Sequence, residues 1–145
     1  RSSYGANYNW YTATAGTGKY ETTSGNVSSS ICPKGWRLPT GGSSGEFAAL
    51  DIAWGGTGAN RSNANTYSTF TGTYTTGSNG GFDLAGHIYG SSLDVVGKVG
   101  IWWSSTAYSN NYAYSLYLDP SNTYVYPQNN DIKHRGLSVR CIASS

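Results

Sequence analysis

The stretch from Tyr112 to Tyr126 constrains the fold more than any other part of the chain. Tyr112-Ala113-Tyr114-Ser115-Leu116-Tyr117-Leu118 alternates in character, as does Thr123-Tyr124-Val125-Tyr126. Between the two lies Asp119-Pro120-Ser121-Asn122, which carries the residues a type I turn prefers. This pattern predicts a hairpin. Pairing Leu118 with Thr123 places Leu116 opposite Val125 on one face. The other face then holds Tyr117 opposite Tyr124 and Ser115 opposite Tyr126. A slip of one residue would exchange the two faces, so the assignment of core and surface depends on this register.

The remaining elements are shorter. Asn9–Ala13 reads as a strand within an opening rich in aromatics, Gly, Ser and Thr. Pro33, Lys34 and Gly35 interrupt the chain before Trp36-Arg37-Leu38, and Pro39 closes that segment. Ser43 followed by Glu46 is a capping-box pattern that starts a helix. Phe47, Leu50 and Trp54 then recur at helical spacing, and Gly55-Gly56 ends the element. From Thr57 to Gly81 the composition predicts long loops with room for one short helix. Phe82–Tyr89 and Val95–Trp103 predict strands separated by Gly90-Ser91-Ser92, and Leu137–Ile142 predicts a closing strand. The expected scaffold is Trp36, Leu38, Phe47, Leu50, Trp102, Trp103, Leu116, Val125 and Val139.

The chain has 145 residues, the size of a single domain spanning 1–145 and enough for a real core. Nine basic and seven acidic residues are dispersed without a Lys/Arg cluster, so no nucleic-acid partner is expected. There is no Met, which implies a processed or excised piece of a longer protein. Any signal or anchor would precede Arg1. No long apolar run is present, so direct membrane insertion is not expected either.

The two cysteines, Cys32 and Cys141, stand near opposite ends and fit neither a CxxC redox motif nor a zinc site. Two buried free thiols would satisfy this placement, but a disulfide formed in an oxidising compartment is the better reading. Glu21, Glu46, Asp51, Asp83, Asp94, Asp119 and Asp131 form no paired catalytic motif. His87 and His134 lack metal-ligand spacing, and no G-x-S-x-G elbow or phosphate loop occurs. The expectation is therefore no enzyme, with no catalytic residue, no metal and no cofactor.

A binding surface is better supported. Roughly two-thirds of the positions between Tyr108 and Asp131 are Tyr, Ser, Asn or Asp, the mixture of rigid amphipathic rings and adaptable polar groups found in antibody paratopes. The candidate ligand-binding residues are Tyr108, Ser109, Asn110, Asn111, Tyr112, Tyr114, Ser115, Tyr117, Asp119, Asn122, Tyr124, Tyr126, Asn129, Asn130 and Asp131.

Four blocks carry a resemblance: Tyr8-Asn9-Trp10-Tyr11, Cys32-Pro33-Lys34-Gly35-Trp36-Arg37-Leu38-Pro39-Thr40, Trp102-Trp103-Ser104-Ser105-Thr106 and Gly136-Leu137-Ser138-Val139-Arg140-Cys141. In this order they resemble the FISUMP-type domains of bacterial surface proteins over nearly the whole chain. The resemblance implies an α+β domain of C-type-lectin fold, related to formylglycine-generating enzymes and to the variable proteins of diversity-generating retroelements. Such a domain has a small twisted antiparallel sheet, one or two helices and long loops. It also implies a disulfide or close contact between Cys32 and Cys141. In the variable proteins a C-terminal segment is rewritten at AAY-type codons, and Tyr108–Asp131 resembles the product of that process in composition and position. The calcium-dependent sugar motifs of animal C-type lectins are absent, as is the close cysteine pair of formylglycine-generating enzymes.

The function expected on these grounds is an extracellular, cell-surface adhesion head. Its ligand would be a protein or glycan on another cell or on a phage. The alternatives are a non-variable structural or pilus-tip domain and, further off, a formylglycine-generating-type enzyme.

Overall fold

Trp102 and Trp103 are neighbours in sequence and point to opposite faces of one strand, and the architecture is organised around that division. The computed structural model describes residues 6–61, 64–72, 81–82, 84, 86–89, 92–94 and 98–144. Strand β5 (Gly100–Ala107) is buried at each residue. It belongs to a four-stranded antiparallel sheet with β1 (Gly25–Asn26), β6 (Tyr112–Asp119) and β7 (Tyr124–Ile132), in the order β1-β5-β6-β7. On one face Ile101, Trp103, Ala107 and Ala113 pack with Trp10, Ala13, Leu38 and Leu137. On the other, Trp102, Leu116, Leu118 and Val125 pack with Phe47, Phe70 and Phe82. A strand covered on both sides needs apolar groups at successive positions, which is why Ile101-Trp102-Trp103 runs without alternation.

The predicted hairpin forms, two residues out of the predicted register. Leu118 lies opposite Val125, Tyr117 opposite Tyr126 and Asp119 opposite Tyr124. The cause is the turn, which occupies residues 120–123 instead of 119–122. Asp119 stays in the strand, where its carboxylate accepts from the Ser121 N–H at 2.9 Å and from Asn122 Nδ2 at 3.0 Å. Thr123 takes the left-handed conformation at φ 54°. An even slip keeps every side chain on its face. Leu116, Leu118 and Val125 are accordingly fully buried on one side, and Tyr117, Tyr124 and Tyr126 occupy the other.

Helix α2 (Glu46–Ala53) matches the predicted span, but its cap does not. Gly45, not Ser43, holds the N-cap position, and no side chain caps it. Instead Thr40 and Glu46 exchange bonds: Thr40 Oγ1 accepts the Glu46 N–H at 3.0 Å, and Glu46 Oε1 accepts the Thr40 N–H at 3.0 Å. The Arg37 guanidinium meets both oxygens of Glu46, at 2.5 and 2.7 Å. Arg37, followed by Thr40, holds the Glu46 carboxyl below its usual value despite partial burial. At the other end Gly55, at φ 96°, lets Gly55 and Gly56 donate to the Ile52 and Asp51 carbonyls, a Schellman closure. Helix α3 (Ala64–Thr71) is the short helix anticipated in the loop-rich region. Its Phe70 joins an aromatic chain, 4.7 Å from Trp54 and 5.5 Å from Phe82, and Phe82 lies 4.8 Å from Trp102.

Five expectations need correction. Asn9–Ala13 is no strand: Trp10–Ala13 forms helix α1, with Asn9 Oδ1 accepting the Thr12 N–H at 2.8 Å. Burial of Trp10, whose Nε1 donates to the Ser104 carbonyl at 2.9 Å, overrides the strand propensity of the aromatics. Strand β3 covers only His87–Tyr89 and pairs with β4 (Ser92–Asp94), while Phe82 donates its N–H to the Phe70 carbonyl. Of the strand expected at Val95–Trp103, residues 95–97 lie outside the described residues, and β5 begins at Gly100. Leu137–Ile142 divides into isolated bridges at Gly136, Leu137 and Ser138 and the strand β8 (Ile142–Ala143), which pairs with β2 (Trp36–Arg37). Trp36 is 51% exposed on that small surface ribbon; Leu38, two residues on, enters the core in its place. Leu50 and Val139 are partly buried against the cores.

Cys32 and Cys141 are joined in a disulfide, with Cα atoms 5.8 Å apart, and the reading as free thiols falls away. The bond sits beside the β2–β8 ribbon and links positions 109 residues apart. Lys133 makes a second long-range tie. It is fully buried, donates from Nζ to the carbonyls of Lys19 and Thr22 at 3.0 and 2.8 Å, and lies 4.7 Å over the Trp10 ring. Burial pushes its ammonium below the ordinary value, with Glu21 opposing.

Two measurements check this account. Replacing both cysteines with serine is expected to lower unfolding stability by about 4–5 kcal/mol, the chain-entropy figure for a loop of this order. In denaturant melts Leu116→Ala or Leu118→Ala is expected to cost about 2–5 kcal/mol through lost burial and the cavity left, whereas Tyr124→Ala should stay within about 0.5 kcal/mol. A Tyr124 variant as unstable as the leucine variants would place the tyrosine in the core and reverse the faces.

Candidate functional site

The sheet face opposite Leu116 and Val125 carries a row of tyrosines because the register aligns them. Tyr117 and Tyr126 are cross-strand partners, and Tyr124 follows two residues from Tyr126 on the same side. The Tyr117 and Tyr126 rings stack with centroids 5.1 Å apart and planes inclined by 29°. Tyr124 meets Tyr126 edge-on at 6.5 Å. Burial, then the charges of Asp119 and Tyr126, raises the Tyr117 hydroxyl above its ordinary value, so it remains a neutral donor and acceptor at physiological pH.

A β-bulge extends this row into a cleft. Between the pairs Tyr117–Tyr126 and Ser115–Asn129, β7 advances one residue more than β6. The extra residue reverses the side on which the following residues of β7 project. Asn129 and Asp131, which an unbroken strand would place with Val125, therefore stand on the tyrosine side. They line a cleft of about 530 Å³ together with Tyr112, Tyr117, Val99, Ile101, Asn130, Ile132, His87 and Arg135. Asn129 Nδ2 donates to Ser115 Oγ at 2.9 Å, which fixes the amide. Asp131 is 6% exposed; its Oδ1 receives Arg135 Nη1 at 2.8 Å and the Ile132 N–H at 2.9 Å. Burial raises the Asp131 carboxyl above its ordinary value, while Arg135, the Ile132 N–H and His87 work in the opposite direction.

The structure thus gathers Tyr117, Tyr124, Tyr126, Asn129 and Asp131 on one side of the sheet, with Tyr112 and Asn130 bordering the cleft from alternate strand positions, and leaves the other candidates elsewhere. Ser115 is fully buried and acts as the acceptor that holds Asn129. Tyr114 faces the turn before α2, where Gly41 leaves no room for a Cβ against Tyr114 and Ser104, and it packs edge-on against Tyr108 at 5.2 Å. Ser109, Asn110 and Asn111 lie between β5 and β6; the Ser109 N–H donates to the Tyr112 carbonyl, and the Asn111 carbonyl accepts from the Lys133 N–H. Asp119 and Asn122 bind one another at the hairpin turn, and Asp119 is buried. Tyr108 and Tyr114 therefore pack together away from the tyrosine row.

Sequence reasoning missed His87 and Arg135. The spacing of Asp131 and Arg135, opposite charges four residues apart, was the available signal for the second. His134 is exposed and packs against Tyr11 at 5.6 Å, away from the cleft. Among the described residues, no group of three His, Cys, Asp or Glu side chains is placed to hold a metal ion, and no helix is long and apolar enough to cross a membrane.

Fold and site together define an α+β domain with a small antiparallel sheet, three short helices among the described residues, and one recessed tyrosine- and asparagine-lined sheet face. Residues 1–143 match the family model of the Fibrobacter succinogenes major domain, and the chain belongs to that family. No curated protein and no solved structure matches it.

The ion pair makes a direct prediction. Removing the guanidinium in Arg135→Gln leaves the Asp131 carboxylate buried without its main opposing charge, so its midpoint should rise further above the ordinary value of 3.8. Carboxyl-carbon NMR across a pH series measures this. An unchanged or lowered midpoint would show that Arg135 does not hold the charge on Asp131.

Proposed function

We propose that this domain is the ligand-binding head of an extracellular surface protein and that it is not an enzyme. The observation that carries the reading is the convergence of Tyr117, Tyr124, Tyr126, Asn129 and Asp131 on one side of a sheet whose other side is sealed core. Rigid rings with polar tips beside fixed amides bind with little loss of conformational freedom. The disulfide suits an oxidising compartment.

The finer reading is a C-type-lectin-type fold of the kind carried by FISUMP-type domains and by retroelement-diversified variable proteins. On this reading Tyr108–Asp131 is the diversified segment, and the ligand lies on another cell or a phage. Its support is the order of the Gly-Trp-Arg-Leu-Pro-Thr, Trp-Trp-Ser-Ser-Thr and Ser-Val-Arg-Cys blocks and the Tyr/Ser/Asn/Asp composition between the last two. Resequencing the locus in sibling isolates tests diversification: substitutions should concentrate at AAY-type codons between Tyr108 and Asp131, and an evenly scattered pattern would remove this part of the proposal. Binding is tested with the disulfide-intact domain displayed on beads against a panel of bacterial cells and phage particles. Adsorption should fall at least tenfold in Tyr126→Ala with little change in melting temperature, as expected of an interface hot spot. Adsorption that persists unchanged in that variant and in Asn129→Ala would sink the assignment of this face.

A further inference from the structure

We infer that the cleft beside the tyrosine row takes a neutral, polyhydroxylated ring ligand, that is, an uncharged saccharide. The inference rests on the reading of this face as the ligand-binding surface and names the chemistry of what it binds.

Charge is the first consideration. The two oppositely charged side chains of the cleft, Asp131 and Arg135, are bonded to each other at 2.8 Å. Each is already engaged by the other, so an anionic ligand would have to compete with a buried carboxylate for Arg135. A cationic ligand would compete with Arg135 for Asp131. An uncharged ligand meets neither penalty, because the pair offers it a polar surface without net charge.

Hydrogen-bonding capacity is the second. Asn129 combines a carbonyl acceptor with amide donors, and the Tyr117 hydroxyl does both. A ligand hydroxyl also donates and accepts at once, so a ring bearing several of them can bond at every such position without leaving a partner unmatched. The amide of Asn129 is already oriented by Ser115, which reduces the ordering needed on binding.

Shape is the third. Tyr117 lines the cleft and is backed by Tyr126, which stacks on it at the cleft's margin, and Val99 and Ile101 add an apolar lining. The C–H face of a sugar ring carries slight positive charge and packs against the negative face of a tyrosine ring. At about 530 Å³ the cleft falls within the range of about 300–1,000 Å³ common to small-ligand sites. A peptide would be held by an open strand edge or by a deep apolar socket for an anchoring side chain. Here the sheet offers a face, and the apolar lining is interrupted by Asn, Asp and Arg.

The test uses the full disulfide-bonded chain, titrated with cellohexaose, maltohexaose, xylohexaose and mannohexaose and followed by amide NMR and calorimetry. At least one of these should bind saturably, with shifts centred on Tyr117, Tyr126 and Asn129. Asn129→Ala and Tyr126→Ala should each weaken it at least tenfold, while Tyr126→Phe, which keeps the stacking ring and the fold, should lose much less. A polyuronate should bind no better than the neutral chains. Absence of saturable binding by all four, or binding that ignores both alanine variants, overturns the inference. The bead assay separates the two failures. If adsorption depends on Tyr126 but no saccharide binds or competes, the face binds a protein, and only the saccharide inference is lost. If adsorption is indifferent to Tyr126 and Asn129, both fall together.

Discussion

The structure depends on β5 being sealed on both sides. Trp103 is held against the opening of the chain by its indole N–H, which donates to the Tyr8 carbonyl at 2.7 Å, while Trp102 closes the aromatic chain that runs through Phe82 and Phe70 to Trp54. The backbone of the same strand bonds to the C-terminal segment, with Trp103 donating to the Ser138 carbonyl and Ser138 donating to that of Ile101. Helix α1, helix α2, the Phe82 segment and the chain end are thus all fixed to one strand. This gives the neighbouring hairpin a rigid base on which to present side chains.

The candidate site exploits that base at its margin. A sheet buried on both faces has little surface to offer, and the cleft opens toward the outer strand β7, where cover is incomplete. The outer edge of β7 is itself partly occupied: the Asn60 side chain accepts the Gln128 N–H at 2.9 Å and donates to its carbonyl at 3.4 Å, and Gln128 Nε2 donates to the Gly58 carbonyl at 2.6 Å. An amide side chain that satisfies a strand's backbone in this way blunts the edge against pairing with another chain. What β7 leaves open is the face, with its rings and the fixed Asn129 amide, and this is where the polar and aromatic residues of β6 and β7 meet.

This division suits a surface that tolerates change. The residues that hold the fold, Leu116, Leu118 and Val125, alternate with those that face the cleft, so substitution at an exposed position of the hairpin need not disturb packing behind it. The candidate set does not divide so cleanly. Ser115, Asp119 and Asp131 are buried and bonded within the domain, and their chemistry serves the arrangement of Asn129, the turn and Arg135.

Much of this was legible in the chain itself, because local chemistry dictates it. Alternation between Tyr112 and Tyr126 determined a hairpin with one aliphatic and one tyrosine face, and an even slip in register left that parity intact. The spacing of Phe47, Leu50 and Trp54 ahead of Gly55 determined α2. Isolation of the two cysteines pointed to their pairing. Tertiary structure decided the rest. Asn9-Trp10-Tyr11 carries strand propensity, yet a buried indole that must find the Ser104 carbonyl turned it into a helix. Ser43 and Glu46 have the letters of a capping box, yet Arg37 and Thr40 claimed the glutamate from outside the helix. The cleft itself follows from one extra residue on β7. No periodicity in Pro127-Gln128-Asn129 announces that bulge, because its position is set by how β7 must pair with a strand already committed to β5. Only that long-range constraint brings Asn129 and Asp131 to the side of the tyrosines.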